Sequence, residues 1–143
     1  MTSASESIPR LLADCRTIAV VGLSAKPNRP SYGVAHYMQA HGYRIIPVNP
    51  MYAGTHILDE YCYGTLTEAA AALAEKNIRI DMVDCFRKSE MIMPIAEEAI
   101  AIGARCLWMQ LGVINQAAAD KARAAGLATV VDYCLKIEHM QAQ

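Results

Sequence analysis

Short apolar, β-rich runs alternate with helical stretches along the chain, and no other feature of the sequence restricts its fold as much. The runs are Thr17–Val21, Tyr43–Val48, Asp81–Cys85, Arg105–Gln110 and Ala128–Val131. A strand wet on one face alternates apolar and polar residues. A nearly continuous apolar run marks a strand covered on both faces. The stretches between the runs have helical spacing and legible ends. Ser31 is placed to cap a helix to about Ala40, with Val34, Ala35 and Met38 on one face and Gly42 beyond its end. Thr65 and Glu68 form a capping-box pattern for a helix to about Lys76 that buries Ala70, Leu73 and Ala74. Ser89 is placed to cap a helix with Ile92, Ala96, Ala99 and Ile100 inside and Gly103 as its stop. Asn115 begins another, built on Ala118, Ala122 and Ala125 and ended by Gly126. Pro9–Asp14 predicts a first helix and Lys136–His139 a short last one, whereas Met51–Gly64 reads as a loop with at most one short extra strand.

Strand–helix alternation of this kind requires crossover connections and a parallel sheet. The expected fold is α/β: a doubly wound parallel five-stranded sheet, Rossmann-like, in a single domain over residues 1–143. The expected strand order is 3-2-1-4-5, with the flavodoxin-like 2-1-3-4-5 as the alternative. In either order ligands bind beyond the carboxyl ends of the strands, where the order reverses. That rule selects the turns after Val21, Val48, Cys85 and Gln110. With 54% hydrophobic residues the chain has material for one real core.

Charge and cysteine content exclude several function classes. Thirteen basic and 14 acidic residues give a net charge of -1, which speaks against a nucleic-acid partner bound by phosphate neutralisation. A small anionic ligand needs only a few placed donors and stays open. No apolar run reaches the roughly 18 residues of a membrane span, and the polar Met1–Ser7 is no secretory signal. Five widely spaced cysteines without a CxxC pair support neither a disulfide framework nor a zinc site, so no metal is expected. The expected compartment is the cytoplasm.

The turn after the first strand, Gly22-Leu23-Ser24-Ala25-Lys26-Pro27-Asn28-Arg29-Pro30-Ser31, carries the strongest functional signal. A glycine that ends a strand before a helix lets backbone N–H groups and the helix dipole hold a phosphate, a contribution of up to about 2 kcal/mol. Ser24 replaces the second glycine of GxGxxG, and no P-loop is present. Lys26 and Arg29 add two cations to the same loop. Such a pair is ordinarily solvated surface, but at a switch point Arg29 can clamp phosphate oxygens and Lys26 can act as a point charge. The second strand ends in Val48-Asn49-Pro50, without the acidic residue that holds the ribose of NAD, and Arg44 lies nearby in sequence. NAD is therefore disfavoured, while NADP and coenzyme A remain open. Phe86 and Arg87 follow the third strand. Phe86 could cover an adenine or a pantetheine arm, and Arg87 could meet phosphate. Gln110 ends the fourth strand with an amide expected to face the crevice, and Trp108 before it reads as core. No catalytic constellation can be assembled: His36, His41, His56 and His139 are scattered, and Ser24 has no base assigned to it.

At these residues the sequence resembles the small stand-alone CoA-binding domain proteins of bacteria, which are similar to the N-terminal CoA-binding domain of the succinyl-CoA synthetase alpha subunit. The matching stretches are Ala19-Val20-Val21-Gly22-Leu23-Ser24, Arg29-Pro30-Ser31-Tyr32, Ile45-Ile46-Pro47-Val48-Asn49-Pro50, Asp81-Met82-Val83-Asp84-Cys85-Phe86-Arg87 and Trp108-Met109-Gln110-Leu111-Gly112-Val113. The resemblance implies a Rossmann-like domain that binds coenzyme A. Gly22, Leu23, Ser24 and Arg29 would then meet phosphates, Val48, Asn49 and Pro50 would line the nucleotide, and Phe86, Arg87 and Gln110 would complete the crevice. The ligase's second domain, with its phosphorylated histidine, has no counterpart in 143 residues, so ligase activity does not follow.

The expected function is binding of coenzyme A or an acyl-CoA, with Lys26 and Ser31 beside the residues just named and with no catalytic residue assigned. The alternative is an enzyme: an NADP-type oxidoreductase, or a CoA-transferring subunit completed by a partner chain. A further reading makes Cys85, at the end of the third strand, a redox-active thiol of depressed pKa.

Overall fold

The computed structural model describes residues 4–143, with side chains from Ile8 onward; the expectation about Met1–Ser7 lies largely outside that range. The elements run α1 (Ala4–Asp14), β1 (Thr17–Val21), α2 (Pro30–Ala40), β2 (Arg44–Val48), β3 (His56–Ile57), β4 (Glu60–Tyr61), α3 (Leu66–Ala74), β5 (Met82–Cys85), α4 (Ile92–Ala101), β6 (Cys106–Met109), α5 (Gln116–Ala124), β7 (Ala128–Val130) and α6 (Leu135–Ala142). All five predicted strands are present, each within two residues of its expected ends.

The five parallel strands lie in the order β2-β1-β5-β6-β7. Counted along the sheet's own strands this is 2-1-3-4-5, the flavodoxin-like of the two orders that the sequence left open. The physical reason lies in α3. Its apolar face of Leu66, Ala69 and Leu73 packs with Ile46, Val48 and Val83, while Val34, Ala35 and Met38 of α2 pack with Ile18, Val20 and Ile45 on the other face. The second crossover therefore changes sides, and the chain steps over β1 to lay β5 against it. Alternate strand residues feed two cores, one under α3, α4 and α5 and one under α1, α2 and α6. Each large apolar side chain fully buried there, such as Leu107 or Met82, contributes about 1.5–3 kcal/mol.

Trp108 is core, as expected, and its indole N–H donates to the Tyr133 carbonyl at 2.9 Å. Its strand neighbour Asp84 lies between Val20 and Trp108 in register, fully buried, and neither carboxylate oxygen has a hydrogen-bond partner. Burial pushes this carboxyl well above the usual carboxylate range.

Helix ends follow the sequence in part. Thr65 accepts from Glu68 N, and Asn115 from Ala118 N, as the capping patterns predict. In α3 the buried set is Leu66, Ala69 and Leu73, so Ala74 is exposed. Ser31 and Ser89 are not caps. Pro30 takes the first position of α2, where its fixed φ fits and its missing N–H costs nothing. Ser31 is thereby moved inside the helix, and its hydroxyl accepts from Ser24 N at 3.0 Å. Ser89 opens a short 3-10 turn that leads into α4, and its hydroxyl accepts from Ile114 N at 2.9 Å.

The Met51–Gly64 segment holds two short strands where at most one was expected. β3 and β4 form a hairpin whose turn residues Leu58 and Asp59 both have positive φ. Gln39 of α2 donates its amide to the Leu58 carbonyl at 2.9 Å, which pins the hairpin against that helix. At the free edge of β2, Tyr63 donates to the Pro47 carbonyl at 3.0 Å and accepts from Asn49 N at 2.9 Å.

Candidate functional site

The order reverses between β1 and β5, so the crevice opens where Gly22 and Phe86 leave the sheet. Gly22 is held by its N–H, which donates to the Val48 carbonyl at 2.8 Å, and Phe86 N donates to the Val21 carbonyl at 2.8 Å. The turns after β1, β2 and β5 are thereby tied into one platform. Asn49 completes it: its amide donates to the Leu23 carbonyl at 3.0 Å, and its side-chain oxygen accepts from Met51 N at 3.0 Å.

On this platform lies a cavity of about 420 Å³. Gly22, Ser24, Lys26, Arg29, Ser31 and Asn49 line it. Phe86, half-buried, forms another wall. These seven predicted residues are thus brought together. Arg29 is also the residue at the start of α2, and it offers no side-chain cap. The amides of the first helical turn are left to the cavity, where the positive end of the helix dipole lies beside two exposed cations.

Across Gly22 lies a second hollow of about 210 Å³, on the α3–α4 side of the sheet. Val48, Pro50 and Arg87 border it, with Leu66, Pro94 and Ile95 supplying apolar walls and Thr65 and Glu98 polar ones. Val48 and Pro50 therefore serve this side and not the larger cavity. The Phe86–Arg87 segment separates the two hollows. Its backbone and the Arg87 stem pack directly on Gly22.

Two predicted residues lie outside both hollows. Leu23 is fully buried in the core, and it reaches the site only through its carbonyl. Gln110 is buried beneath α6, where its side-chain oxygen accepts from Leu135 N at 3.0 Å and so caps that helix. Arg44 stands at the amino end of β2, away from the crevice, and is paired with Glu60 at 3.2 Å. It is not a donor for a ligand phosphate. The redox reading of Cys85 is overturned, because the thiol is fully buried and burial raises its pKa well above the ordinary value. Pro30, Met51 and Tyr52 line the larger cavity and were missed. For Met51 and Tyr52 the only signal was their position directly after Asn49-Pro50.

Among the described residues no helix is long and apolar enough to cross a membrane, and no group of three or more metal-ligating side chains occurs. A family described as "CoA binding domain" matches residues 16–140. The chain is 37% identical over 132 residues to the uncharacterized protein YneT of Bacillus subtilis strain 168, covering 92% of this chain and 91% of that one. A hypothetical protein from Pyrococcus horikoshii OT3 superposes with a TM-score of 0.86 at 34% identity, over 99% of this chain and 92% of that one. A protein from Thermus thermophilus superposes with a TM-score of 0.84 at 27% identity, over the full length of both chains.

Proposed function

Because the chain belongs to the CoA-binding domain family, we propose that it binds coenzyme A, or an acyl thioester of it, in the crevice at the carboxyl ends of β1, β2 and β5, with no reaction of its own. The observation that carries this reading is the gathering of Lys26, Arg29, Gly22 and the uncapped first turn of α2 around one cavity. Coenzyme A has a pyrophosphate and a ribose phosphate, and such groups are met by guanidinium, ammonium and free backbone amides. The apolar hollow across Gly22 suits a flat adenine or the pantetheine arm, with Phe86 and Arg87 between the two parts of the ligand. Taken together, the two hollows, of about 420 and 210 Å³, fall in the size range of cofactor sites.

Among the described residues lining the larger cavity there is no histidine, cysteine or carboxylate. The Ser24 and Ser31 hydroxyls accept from backbone N–H groups and have no histidine or carboxylate beside them in the lining, which supports binding over nucleophilic chemistry. The reading includes a cytoplasmic setting, which the free, mostly buried cysteines support.

The test is calorimetric titration with CoA, dephospho-CoA, NAD and NADP side by side. CoA should bind, and dephospho-CoA should bind more weakly. Binding of NADP without CoA would overturn the reading in favour of a nucleotide-dependent oxidoreductase.

A further inference from the structure

At the other end of the sheet, the segments leading into β1 and β2 border a separate hollow of about 330 Å³. Arg16, His41, Tyr43, His139 and Gln143 line it, above apolar residues of α1 that include Leu12. No side-chain carboxylate occurs among the described residues lining it. His139, on α6, is buried at only 6% exposure.

The hydrogen bonds fix where the protons sit. His41 Nδ1 is 2.8 Å from the Tyr37 carbonyl oxygen. A carbonyl only accepts, so Nδ1 donates, and Nε2 of the neutral ring is bare. The Tyr37 hydroxyl is 2.8 Å from His139 Nδ1. The Gln143 amide nitrogen, itself a donor, lies 3.2 Å from His139 Nε2, so in the neutral ring Nε2 accepts and Nδ1 carries the hydrogen, donated to the Tyr37 hydroxyl. The two imidazole centroids are 5.1 Å apart. The Arg16 guanidinium lies over the Tyr43 ring, 5.4 Å from its centroid. The hollow thus holds one permanent cation and two imidazoles whose Nε2 atoms become donors on protonation.

We propose that this hollow is an anion site, distinct from the crevice, in which Arg16, His41 and His139 hold a phosphomonoester or a dianion of like charge. The cavity has room for a small organic body beside the charged group. The titratable side chains lining it are Arg16 and Tyr43 from the strand lead-ins, His41 from α2 and His139 from α6; behind them lie Tyr37, Lys136 over the Tyr37 ring, and Asp81, whose carboxylate accepts from Arg16 N. From α1 it meets Pro9, Leu12 and Ala13, none of which titrates. Two imidazolium rings this close repel each other, and an anion beside them offsets that repulsion. Burial, and then the neighbouring His41, hold His139 below the ordinary histidine value.

The experiment is an NMR titration of the histidine ring protons of the full chain in sulfate and in chloride at matched ionic strength. Sulfate stays doubly charged over the range from about pH 5 to 8 in which imidazole titrates. The apparent pKa values of His41 and His139 should rise in sulfate by about half a unit or more, saturably, because an anion favours the charged ring. Arg16→Gln should remove the rise, and His41→Gln should remove that of His139. Arg29→Ala, at the crevice, should leave it intact. Equal pKa values in the two salts would overturn the proposal. So would a rise that survives Arg16→Gln, or one that Arg29→Ala abolishes.

Discussion

Gly22 lies so close to Phe86 that a methyl group on its α-carbon would sit 2.3 Å from the Phe86 carbonyl oxygen. Its φ of +93° adds a second demand for glycine, since L side chains rarely adopt that conformation. Gly22→Ala must therefore push the β5 turn away from the β1 turn. Thermal denaturation should show a loss of about 1–3 kcal/mol from overpacking, and calorimetry should show weakened CoA binding. An unchanged melt together with unchanged affinity would mean that the two turns are not a fixed platform.

Arg29 and Arg87 stand on opposite sides of that platform. Arg29→Ala should weaken CoA binding by about 1.5–3 kcal/mol, the value of a hydrogen bond to a charged group. Dephospho-CoA and CoA titrated against Arg29→Ala and Arg87→Ala show which cation meets the ribose phosphate: that variant loses the difference between the two ligands. If neither substitution changes affinity, the cations are surface residues.

Asp84 makes a prediction about stability alone. Its carboxyl keeps a proton in the fold at pH values where the unfolded chain, with the ordinary value of 3.8, has lost it. A raised folded pKa means that this residue's contribution is lost as pH rises above 3.8. Asp84→Leu should therefore stabilise the protein at pH 7, by about 1–3 kcal/mol for a polar group relieved of partnerless burial. The gain should shrink on acidification toward pH 4. Denaturant melts at several pH values measure both effects.

His139 has the opposite sign. Its folded pKa is lowered, first by burial and then by His41, so below the ordinary value of 6.5 the unfolded chain binds more protons than the folded one. Stability should fall as pH drops through 6.5 and be fully present above it. His139→Gln should flatten that slope in chloride buffer. A slope that persists unchanged would have to come from other groups.

Thiol labelling separates the cysteines. Cys15, Cys62, Cys85 and Cys106 are buried, and Cys134 at the start of α6 is partly exposed. Brief alkylation of the native protein, mapped by mass spectrometry, should modify Cys134 first. Early modification of Cys85 would contradict its burial.

The strands were legible because each is a dense apolar run, and such runs survive any choice of topology. Strand order was not, because 3-2-1-4-5 and 2-1-3-4-5 share one sequence pattern. The difference is only whether Leu66, Ala69 and Leu73 cross to the opposite face from Val34 and Met38. The loop that lines the larger cavity was legible from Gly22, Lys26 and Arg29, whose neighbours in sequence are also neighbours in space. Gln110 was not, because its place at a strand end cannot show whether the amide meets a ligand or the next helix. Arg44 misled for a related reason: closeness to Asn49 in sequence spans the length of a strand in space. Ser31 lost its capping role to the proline before it, a competition that inspection of hydroxyl residues alone overlooks.

The two margins of the sheet have a consequence for assembly. On β2, Pro47 has no N–H to offer and its carbonyl is already taken by Tyr63. On β7, Arg123 donates to the Thr129 carbonyl at 3.2 Å. A foreign strand, or the same strand from another molecule, finds no clean ladder at either margin. Strand addition to the five-stranded sheet is therefore obstructed at both margins, and with it the route by which open sheets recruit one another into aggregates.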